Sequence, residues 1–210
     1  MKKKIAILGS TGSIGKTLFN ILLKEKKKSE LLLLTAHKSH KILLKQAKAL
    51  NVKNLILTSK KDYEILKEKT KNTNIRVFNN FKNLDKIFKE KIDYVMSSIS
   101  GINGLEPTIK IIKFTKKIAI ANKESIICGW GLIQNELKKN DTDFVPVDSE
   151  HFSLWYGLKN YKISNVEKIF LTASGGPLYK TPLKKFKNIK ISQTLKHPNW
   201  KMGKKISIDS

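Results

Sequence analysis

The sequence has one cysteine, Cys128, and one arginine, Arg76, among its 210 residues. A single cysteine cannot form an intrachain disulfide, and it excludes a zinc site built from cysteines. No run approaches the ~18 consecutive apolar residues of a membrane span, and the N-terminal lysines lead into a short strand-like segment instead of a signal-peptide core. These absences predict a cytoplasmic protein without a membrane partner.

Acidic residues are scarce, 17 against 42 basic ones, so the formal net charge is +25. Such a charge raises the possibility of a nucleic-acid partner, because clustered cations release counterions from polyphosphates. The basic residues are almost all lysines, however, and they are spread along the whole chain. With so little of the arginine chemistry that reads bases, we predict a solvated lysine-rich surface and no nucleic-acid partner. A non-catalytic basic binding protein is the alternative from another functional class.

Short apolar segments alternate with longer amphipathic ones as far as Val147, a pattern typical of βα units on a parallel sheet. The apolar segments predict strands at Lys4–Leu8, Glu30–Ala36, Asn54–Leu57, Arg76–Phe78, Tyr94–Ser97, Lys117–Ala121 and Asp143–Val147. The amphipathic segments predict helices near Ile14–Lys26, His40–Leu50, Asp62–Thr70, Asn83–Lys89, Gly104–Phe114 and Glu124–Lys138. After Glu150 the pattern changes to a helix at Phe152–Leu158, a strand at Val166–Thr172 and loop-rich sequence.

Three glycines, Gly9, Gly12 and Gly15, follow the first strand and open the first helix. Their bare backbone would let a pyrophosphate approach the helix N-terminus, although a purely structural tight turn is the alternative. With the alternating pattern, this turn predicts an α/β fold with a Rossmann-like, doubly wound, mostly parallel sheet. The change of pattern places a domain boundary near Asp148–His151.

The second predicted strand ends in His37, Lys38 and Ser39, where an NAD enzyme carries an acidic residue for the ribose 2′-hydroxyl. A cation and a hydroxyl suit the 2′-phosphate of NADP instead. Alternatively, Lys38 is one more surface lysine and Ser39 caps the next helix.

Asp148, Ser149 and Glu150 follow the last strand of the sheet, at the edge where open α/β sheets bind ligands. If the chain is extended there, the carboxylates at 148 and 150 point the same way and could hold one hard cation, Mg²⁺ or Mn²⁺. The structural alternative is that Asp148 or Ser149 caps the following helix and Glu150 complements its dipole.

Three further segments offer polar groups, each with a structural alternative. Lys123 follows a strand and either holds an anionic oxygen or begins a helix. Ser174 opens a Ser-Gly-Gly-Pro segment that presents a hydroxyl and backbone amides to a phosphate, or forms a plain turn. His197 precedes a proline, which predicts an extended segment or loop, and it is either a surface residue or a ligand.

Five segments, in this order and spacing, closely resemble 1-deoxy-D-xylulose 5-phosphate reductoisomerase: GSTGSIG, ANKES, PVDSEH, SGGP and HPNWKMGKKISIDS. The resemblance runs from Lys4 to Ser210. It implies an NADPH-binding Rossmann-like domain over residues 1–148, followed by the start of an α+β catalytic domain over residues 149–210. It implies a metal-assisted rearrangement of deoxyxylulose 5-phosphate, a small phosphorylated sugar, to a branched aldehyde. NADPH then reduces this aldehyde to 2-C-methyl-D-erythritol 4-phosphate in the non-mevalonate route to isoprenoids.

The resemblance also implies roles for individual residues. On the cofactor side it implies Thr11, Gly12, Ser13 and Ile14 at the pyrophosphate, His37, Lys38 and Ser39 at the 2′-phosphate end, and Asn122, Glu124 and Gly203 nearby. On the catalytic side it implies Asp148 and Glu150 on the metal, with Glu150 also catalytic, Lys123 and Ser149 on the substrate, Ser174, His197 and Ser210 at its phosphate or neighbouring oxygens, and Trp200 and Met202 in a closing loop.

The chain departs from the family pattern in two places. The family commonly has Gly and Asn where this chain has His37 and Ser39, so the detailed contacts there should differ. The family also continues beyond Ser210 with an Asn-Lys pair, a third acidic metal ligand and a C-terminal helical domain. We therefore expect a truncated chain that binds NADPH with little turnover, from a family of homodimers. Another NADP-dependent dehydrogenase of a small anionic substrate, without a metal requirement, is the alternative enzyme.

Overall fold

The computed structural model describes residues 2–172, 175–198 and 204–209, with only the backbone of residues 205, 206 and 209. The chain divides into two compact units, Met1–Lys159 and Asn160–Ser210. This division falls 11 residues after the sequence-based boundary at 148, which stays a prediction.

The first unit is built on a sheet of seven parallel strands. The strands are β1 (Lys3–Leu8), β2 (Ser29–Ala36), β3 (Asn54–Leu57), β4 (Arg76–Phe78), β5 (Tyr94–Ser97), β6 (Lys117–Ile120) and β7 (Asp143–Pro146). Their order across the sheet is β4-β3-β2-β1-β5-β6-β7, and every pairing is parallel. The order reverses at β1, so the crevice outside the carboxyl ends of β1 and β5 is where ligands bind in this architecture.

Helices connect the strands and cover both faces of the sheet. Those of the first unit are α1 (Ser13–Lys24), α2 (His40–Ala49), α3 (Lys60–Thr70), α4 (Leu84–Ile87), α5 (Leu105–Ile112), α6 (Lys123–Lys139) and α7 (Ser149–Leu158), with a 3₁₀ turn at Ile102–Gly104. The described part of the second unit has 3₁₀ turns at Ile163–Asn165 and Leu183–Asn188, and short helices α8 (Ile191–Thr194) and α9 (Lys204–Asp209).

The core consists of two apolar layers, one on each side of the sheet. Alternate residues of β1 point to opposite faces, so Ile5 and Ile7 enter one layer and Ala6 and Leu8 enter the other. Helices α1, α2 and α3 contribute to the first layer, and α4, α5 and α6 to the second. A sheet covered on both faces needs apolar residues at successive positions, which is why its strands read as continuous apolar runs.

The predicted doubly wound parallel sheet is confirmed. All seven predicted strands are present, and their bounds differ from the prediction by no more than one residue at either end. The predicted helix Asn83–Lys89 shrinks to the four residues Leu84–Ile87.

The predicted strand at Val166–Thr172 is wrong, because no described residue pairs with this segment in a β ladder. Three of its apolar side chains are exposed: Ile169, Phe170 and Leu171, the last two at 81% and 74%. An apolar run becomes a strand only when a neighbour satisfies its backbone groups, and here the run neither pairs nor buries its side chains.

Across the described ranges, no helix combines the length and the apolar character that crossing a bilayer requires.

Candidate active site

The glycine turn between β1 and α1 is fixed by close backbone contacts. Gly9 has φ 79°, and a Cβ there would lie 2.8 Å from the carbonyl oxygen of Ser98. A Cβ at Gly15 would overlap the Gly9 carbonyl. At Gly12, by contrast, the nearest atom to an added Cβ would be 3.4 Å away, an ordinary contact. The fold itself therefore requires glycine at 9 and 15, whereas Gly12 leaves an open backbone surface.

Side chains from β2 and α2 hold this turn in place. The Gly9 N–H donates to Thr35 Oγ1 and the Ser10 N–H donates to the Thr35 carbonyl, both at 2.9 Å. Gln46 donates its amide to the Ser10 carbonyl at 2.9 Å and accepts from the Ser10 hydroxyl at 2.8 Å. Sequence reasoning missed Gln46, although its place on the apolar stripe of α2, between Leu43 and Ala47, could have revealed it.

The N-terminus of α1 is open to a ligand. The helix begins after Gly12, which has no side chain to cap it, while Gly12, Ser13 and Ile14 are exposed and Thr11 is half-buried. Unpaired amides at the start of a twelve-residue helix favour an anion. The residues predicted for a pyrophosphate thus lie at an accessible helix N-terminus, and their role stays a prediction.

The loop after β2 presents polar groups at the same edge of the sheet. His37 and Lys38 are exposed, and His37 Nδ1 lies 2.9 Å from Thr58 Oγ1. Ser39 precedes α2, yet its side chain makes no capping hydrogen bond. The capping alternative for Ser39 is therefore wrong, and its hydroxyl is not engaged by the first turn of that helix.

A second histidine ties this loop to α3. His40 Nδ1 lies 2.6 Å from Asp62 Oδ1, and the Ser59 hydroxyl donates to Asp62 Oδ2 at 2.8 Å. The hydrogen bond from His40, followed by that from Ser59, lowers the pKa of the Asp62 carboxyl below its ordinary value. Sequence reasoning did not find this pair, since the two residues are 22 positions apart and each alone is an ordinary surface type.

Asn122, at the end of β6, is engaged within the protein. Its oxygen accepts from the Ser125 N–H at 3.0 Å, which caps α6, and its amide donates to the carbonyls of Ile99 and Gly101. The side chain is buried and braces two loops at the sheet edge. The predicted cofactor roles of Asn122 and the half-buried Glu124 stay predictions.

Asp148 caps α7 and is held by a histidine. Its Oδ1 accepts the His151 N–H at 3.2 Å, and His151 Nδ1 lies 2.7 Å from the same oxygen. Burial raises the pKa of Asp148, but the two hydrogen bonds from His151 and the charge interactions with His151 and Lys123 lower it by more, so the net shift is downward. The structural alternative for Asp148, that it caps α7, is therefore confirmed.

Three predicted catalytic residues, Lys123, Ser149 and Glu150, meet beside Asp148. Lys123 Nζ, from the start of α6, lies 4.0 Å from Glu150 Oε2, which also accepts the Ser149 hydroxyl at 2.8 Å. The fold thus gathers a cation, a hydroxyl and two carboxylates at the carboxyl ends of β6 and β7.

This donor set has the right chemistry for a hard cation but is incomplete. Oxygen ligands suit Mg²⁺ and Mn²⁺, which take several of them. Among the described residues, no three His, Cys, Asp or Glu side chains form a group that could hold a metal. The chain is helical from Ser149 onwards, so the extended geometry that would point the carboxylates at 148 and 150 the same way is absent. The metal roles of Asp148 and Glu150 stay predictions.

Comparison with known proteins assigns the family. Residues 5–130 match the family model of 1-deoxy-D-xylulose 5-phosphate reductoisomerase, and residues 144–210 match the model of its C-terminal domain. The chain belongs to this family.

Curated reductoisomerases align along almost the whole chain. The Pelagibacter ubique reductoisomerase is 59% identical over 210 residues, covering 99% of this chain and 54% of the relative. The enzyme of Wolbachia from Culex pipiens is 44% identical over 209 residues, covering 99% and 53%. The chain thus spans about half the length of the curated relatives it matches.

Solved reductoisomerase structures share the fold. The Zymomonas mobilis enzyme in complex with NADPH superposes with a TM-score of 0.86 at 30% identity, covering all of this chain and 54% of that one. A reductoisomerase in complex with NADPH, fosmidomycin and magnesium superposes with a TM-score of 0.83 at 29% identity, covering 99% and 54%.

Several residues to which the reductoisomerase resemblance gives a role lie outside the described residues: Ser174, Trp200, Met202, Gly203 and Ser210. His197 lies in the second unit, half-buried and outside helix and strand, as the following proline predicts. Its role stays a prediction.

Proposed function

We propose that this chain forms the NADPH-binding part and the first segment of the catalytic part of a 1-deoxy-D-xylulose 5-phosphate reductoisomerase. The whole enzyme converts deoxyxylulose 5-phosphate to 2-C-methyl-D-erythritol 4-phosphate in the non-mevalonate route to isoprenoids. The observation that carries this proposal is the match of both family models, in order, along one chain. We further propose that the whole protein is a cytoplasmic homodimer.

The open start of α1 suits the pyrophosphate of NADPH. Thr11, Gly12, Ser13 and Ile14 would line it, because Gly12 leaves the backbone accessible there. At the other end of the nucleotide, Lys38 supplies a cation and Ser39 a hydroxyl that does not cap α2. Neither is acidic, which favours a 2′-phosphate over a free 2′-hydroxyl. NADPH supplies the hydride, and the protein orients it.

Asp148 and Glu150 would hold a divalent cation, Mg²⁺ or Mn²⁺, together with further oxygen donors. A relative with magnesium bound has the same fold at 29% identity. When bound, the cation acts as a Lewis acid and template for the substrate oxygens. His151 holds the Asp148 carboxylate, so its orientation is set before the cation arrives.

Lys123 and Ser149 would contact the phosphorylated sugar beside the metal. The Lys123 ammonium lies near Glu150 and can bind an anionic substrate oxygen, while the Ser149 hydroxyl can donate to one. Ser174, His197 and Ser210 would contact the substrate phosphate or neighbouring oxygens. Trp200 and Met202 would close over the substrate and exclude water.

Thermal unfolding of the 210-residue chain with NADPH and with NADH at equal concentrations tests the nucleotide assignment. A ligand that binds only the folded state raises the unfolding temperature. We expect a clear rise with NADPH and a much smaller one with NADH. A cooperative transition that neither nucleotide moves would refute the assignment.

A further inference from the structure

The carboxylate of Asp62 lies in the first turn of α3, beside the loop proposed to meet the 2′-phosphate. Its Oδ1 lies 2.6 Å from Nδ1 of His40, and its Oδ2 accepts from the Ser59 hydroxyl at 2.8 Å. His40 directly follows Lys38 and Ser39 in the chain. His40 therefore stands directly after the proposed phosphate-binding residues and hydrogen-bonds to the Asp62 carboxylate.

A carboxylate without a hydrogen-bond donor at this edge of the sheet would favour NADH over NADPH. An acidic side chain near the end of the second strand is what dinucleotide enzymes use to bind the 2′-hydroxyl of NAD. The same charge repels a 2′-phosphate. Asp62 is ionised at neutral pH, since its hydrogen bonds lower its pKa. An ionised carboxylate only accepts hydrogen bonds, so Nδ1 of His40 carries the proton between them.

We infer that His40 determines specificity for a 2′-phosphorylated nucleotide, because it engages the Asp62 carboxylate and leaves Lys38 and Ser39 as the groups that meet the phosphate. This inference rests on the proposed function. His40 acts through Asp62, so it is a positioning residue and not a phosphate ligand. Both side chains are mostly buried, at 16% and 17% exposed, which holds the pair in place.

The test measures the dissociation constants of NADPH and NADH with the 210-residue chain, using the fluorescence of the nucleotides. We expect His40→Ala to lower the preference for NADPH over NADH by about fivefold, chiefly through weaker NADPH binding. Adding Asp62→Asn to His40→Ala removes the carboxylate charge that no longer has His40 as its partner. This double variant should regain most of the preference for NADPH. His40→Asn, whose amide can still donate to Asp62, should keep most of it without a second change.

Glu64→Gln is the matched control, because it neutralises an exposed carboxylate of the same helix. Added to His40→Ala, it should restore nothing. If it restores the preference as well as Asp62→Asn does, a general charge effect replaces the specific one and the inference is overturned. The inference also fails if His40→Ala weakens both nucleotides equally, as a purely structural role would, or leaves the preference unchanged.

Thermal unfolding of each variant shows whether it is folded. If His40→Ala does not fold, Asp62→Asn alone decides, since it is close to the native residue in shape. It should bind NADPH at least as selectively as the wild type, and a loss of selectivity would overturn the inference. A wild-type chain that binds neither nucleotide overturns the proposed function, and the inference with it. A wild-type chain that prefers NADPH, with variants that do not behave as expected, overturns the inference alone.

Discussion

Gln46 and Ser10 exchange two hydrogen bonds across the buried side of the glycine turn. The amide of Gln46 donates to the Ser10 carbonyl at 2.9 Å, and the Ser10 hydroxyl donates to the Gln46 oxygen at 2.8 Å. Both residues are buried, so neither can replace these bonds with water. A side chain of α2 thereby fixes the backbone of the loop that is proposed to bind the nucleotide.

Replacing Gln46 with Leu should weaken both the fold and the nucleotide site. The substitution leaves the Ser10 carbonyl and hydroxyl without these partners, so we expect the free energy of unfolding to fall by about 1–3 kcal/mol. NADPH binding should weaken as the turn loosens. Urea unfolding and nucleotide titration measure the two effects. The half-buried Gln134 of α6 serves as control: if Gln134→Leu has the same effect on NADPH, the turn is not the cause.

An added side chain should impair NADPH binding at Gly12 and the stability of the fold at Gly15. Gly12→Val places its side chain where the fold leaves room, so the chain should stay folded while NADPH binding is lost. Gly15→Ala overlaps the Gly9 carbonyl, so it should cost about 1–3 kcal/mol of stability. Chemical unfolding with a parallel NADPH titration separates the two effects. Unimpaired NADPH binding by folded Gly12→Val would contradict a ligand at this surface.

The parts of this molecule that sequence predicts well are those whose signal is local. Asn54–Leu57 is a short apolar run between polar segments, and the structure has a strand with these bounds, because a neighbour on each side completes its ladder. Val166–Thr172 has a similar composition but no partner strand among the described residues, and composition cannot reveal a missing neighbour.

The hydrogen-bonded pairs that hold the loops of the candidate site could not be predicted from local sequence. Gln46 and Ser10 are 36 positions apart, and His40 and Asp62 are 22 apart. Only tertiary packing brings each pair together, so no local sequence pattern predicts either contact. Asp148 illustrates a different limit, because one carboxylate can both cap a helix and bind a cation, and its sequence is the same for either role.

Stability in acid should depend on Asp93, which lies just before β5 and whose carboxylate contacts β1 and the residue before β6. Its carboxylate accepts from the Lys4 N–H at 2.8 Å and from Lys116 Nζ at 2.9 Å. These bonds, the backbone one first, lower the pKa of Asp93 in the folded state. The ionised form is thus favoured by folding, so its stabilising effect is complete above the ordinary carboxyl pKa of about 4 and disappears as the pH falls through the lower folded value.

We therefore expect Asp93→Asn to have a lower unfolding temperature than the wild type at pH 7. This difference in unfolding temperature should become smaller below about pH 4. Thermal unfolding from neutral to acid pH measures this difference. Asp85→Asn, at an exposed carboxylate of α4, is the control and should show a smaller change with pH. A difference for Asp93→Asn that stays constant into acid would mean that its charge is not the cause.

Substitutions at Asp148 and Glu150 should separate the structural role from the metal role. Asp148→Ala removes the cap of α7 and the partner of His151, so we expect a loss of about 1 kcal/mol in stability without metal, together with weaker Mn²⁺ binding. Glu150 is exposed and caps nothing, so Glu150→Gln should weaken Mn²⁺ binding while leaving the unfolding temperature without metal nearly unchanged. Thermal unfolding and the enhancement of water-proton relaxation by Mn²⁺ measure the two effects on the same samples. Unchanged Mn²⁺ binding in both variants would leave Asp148 with its capping role alone and would refute the proposed metal site.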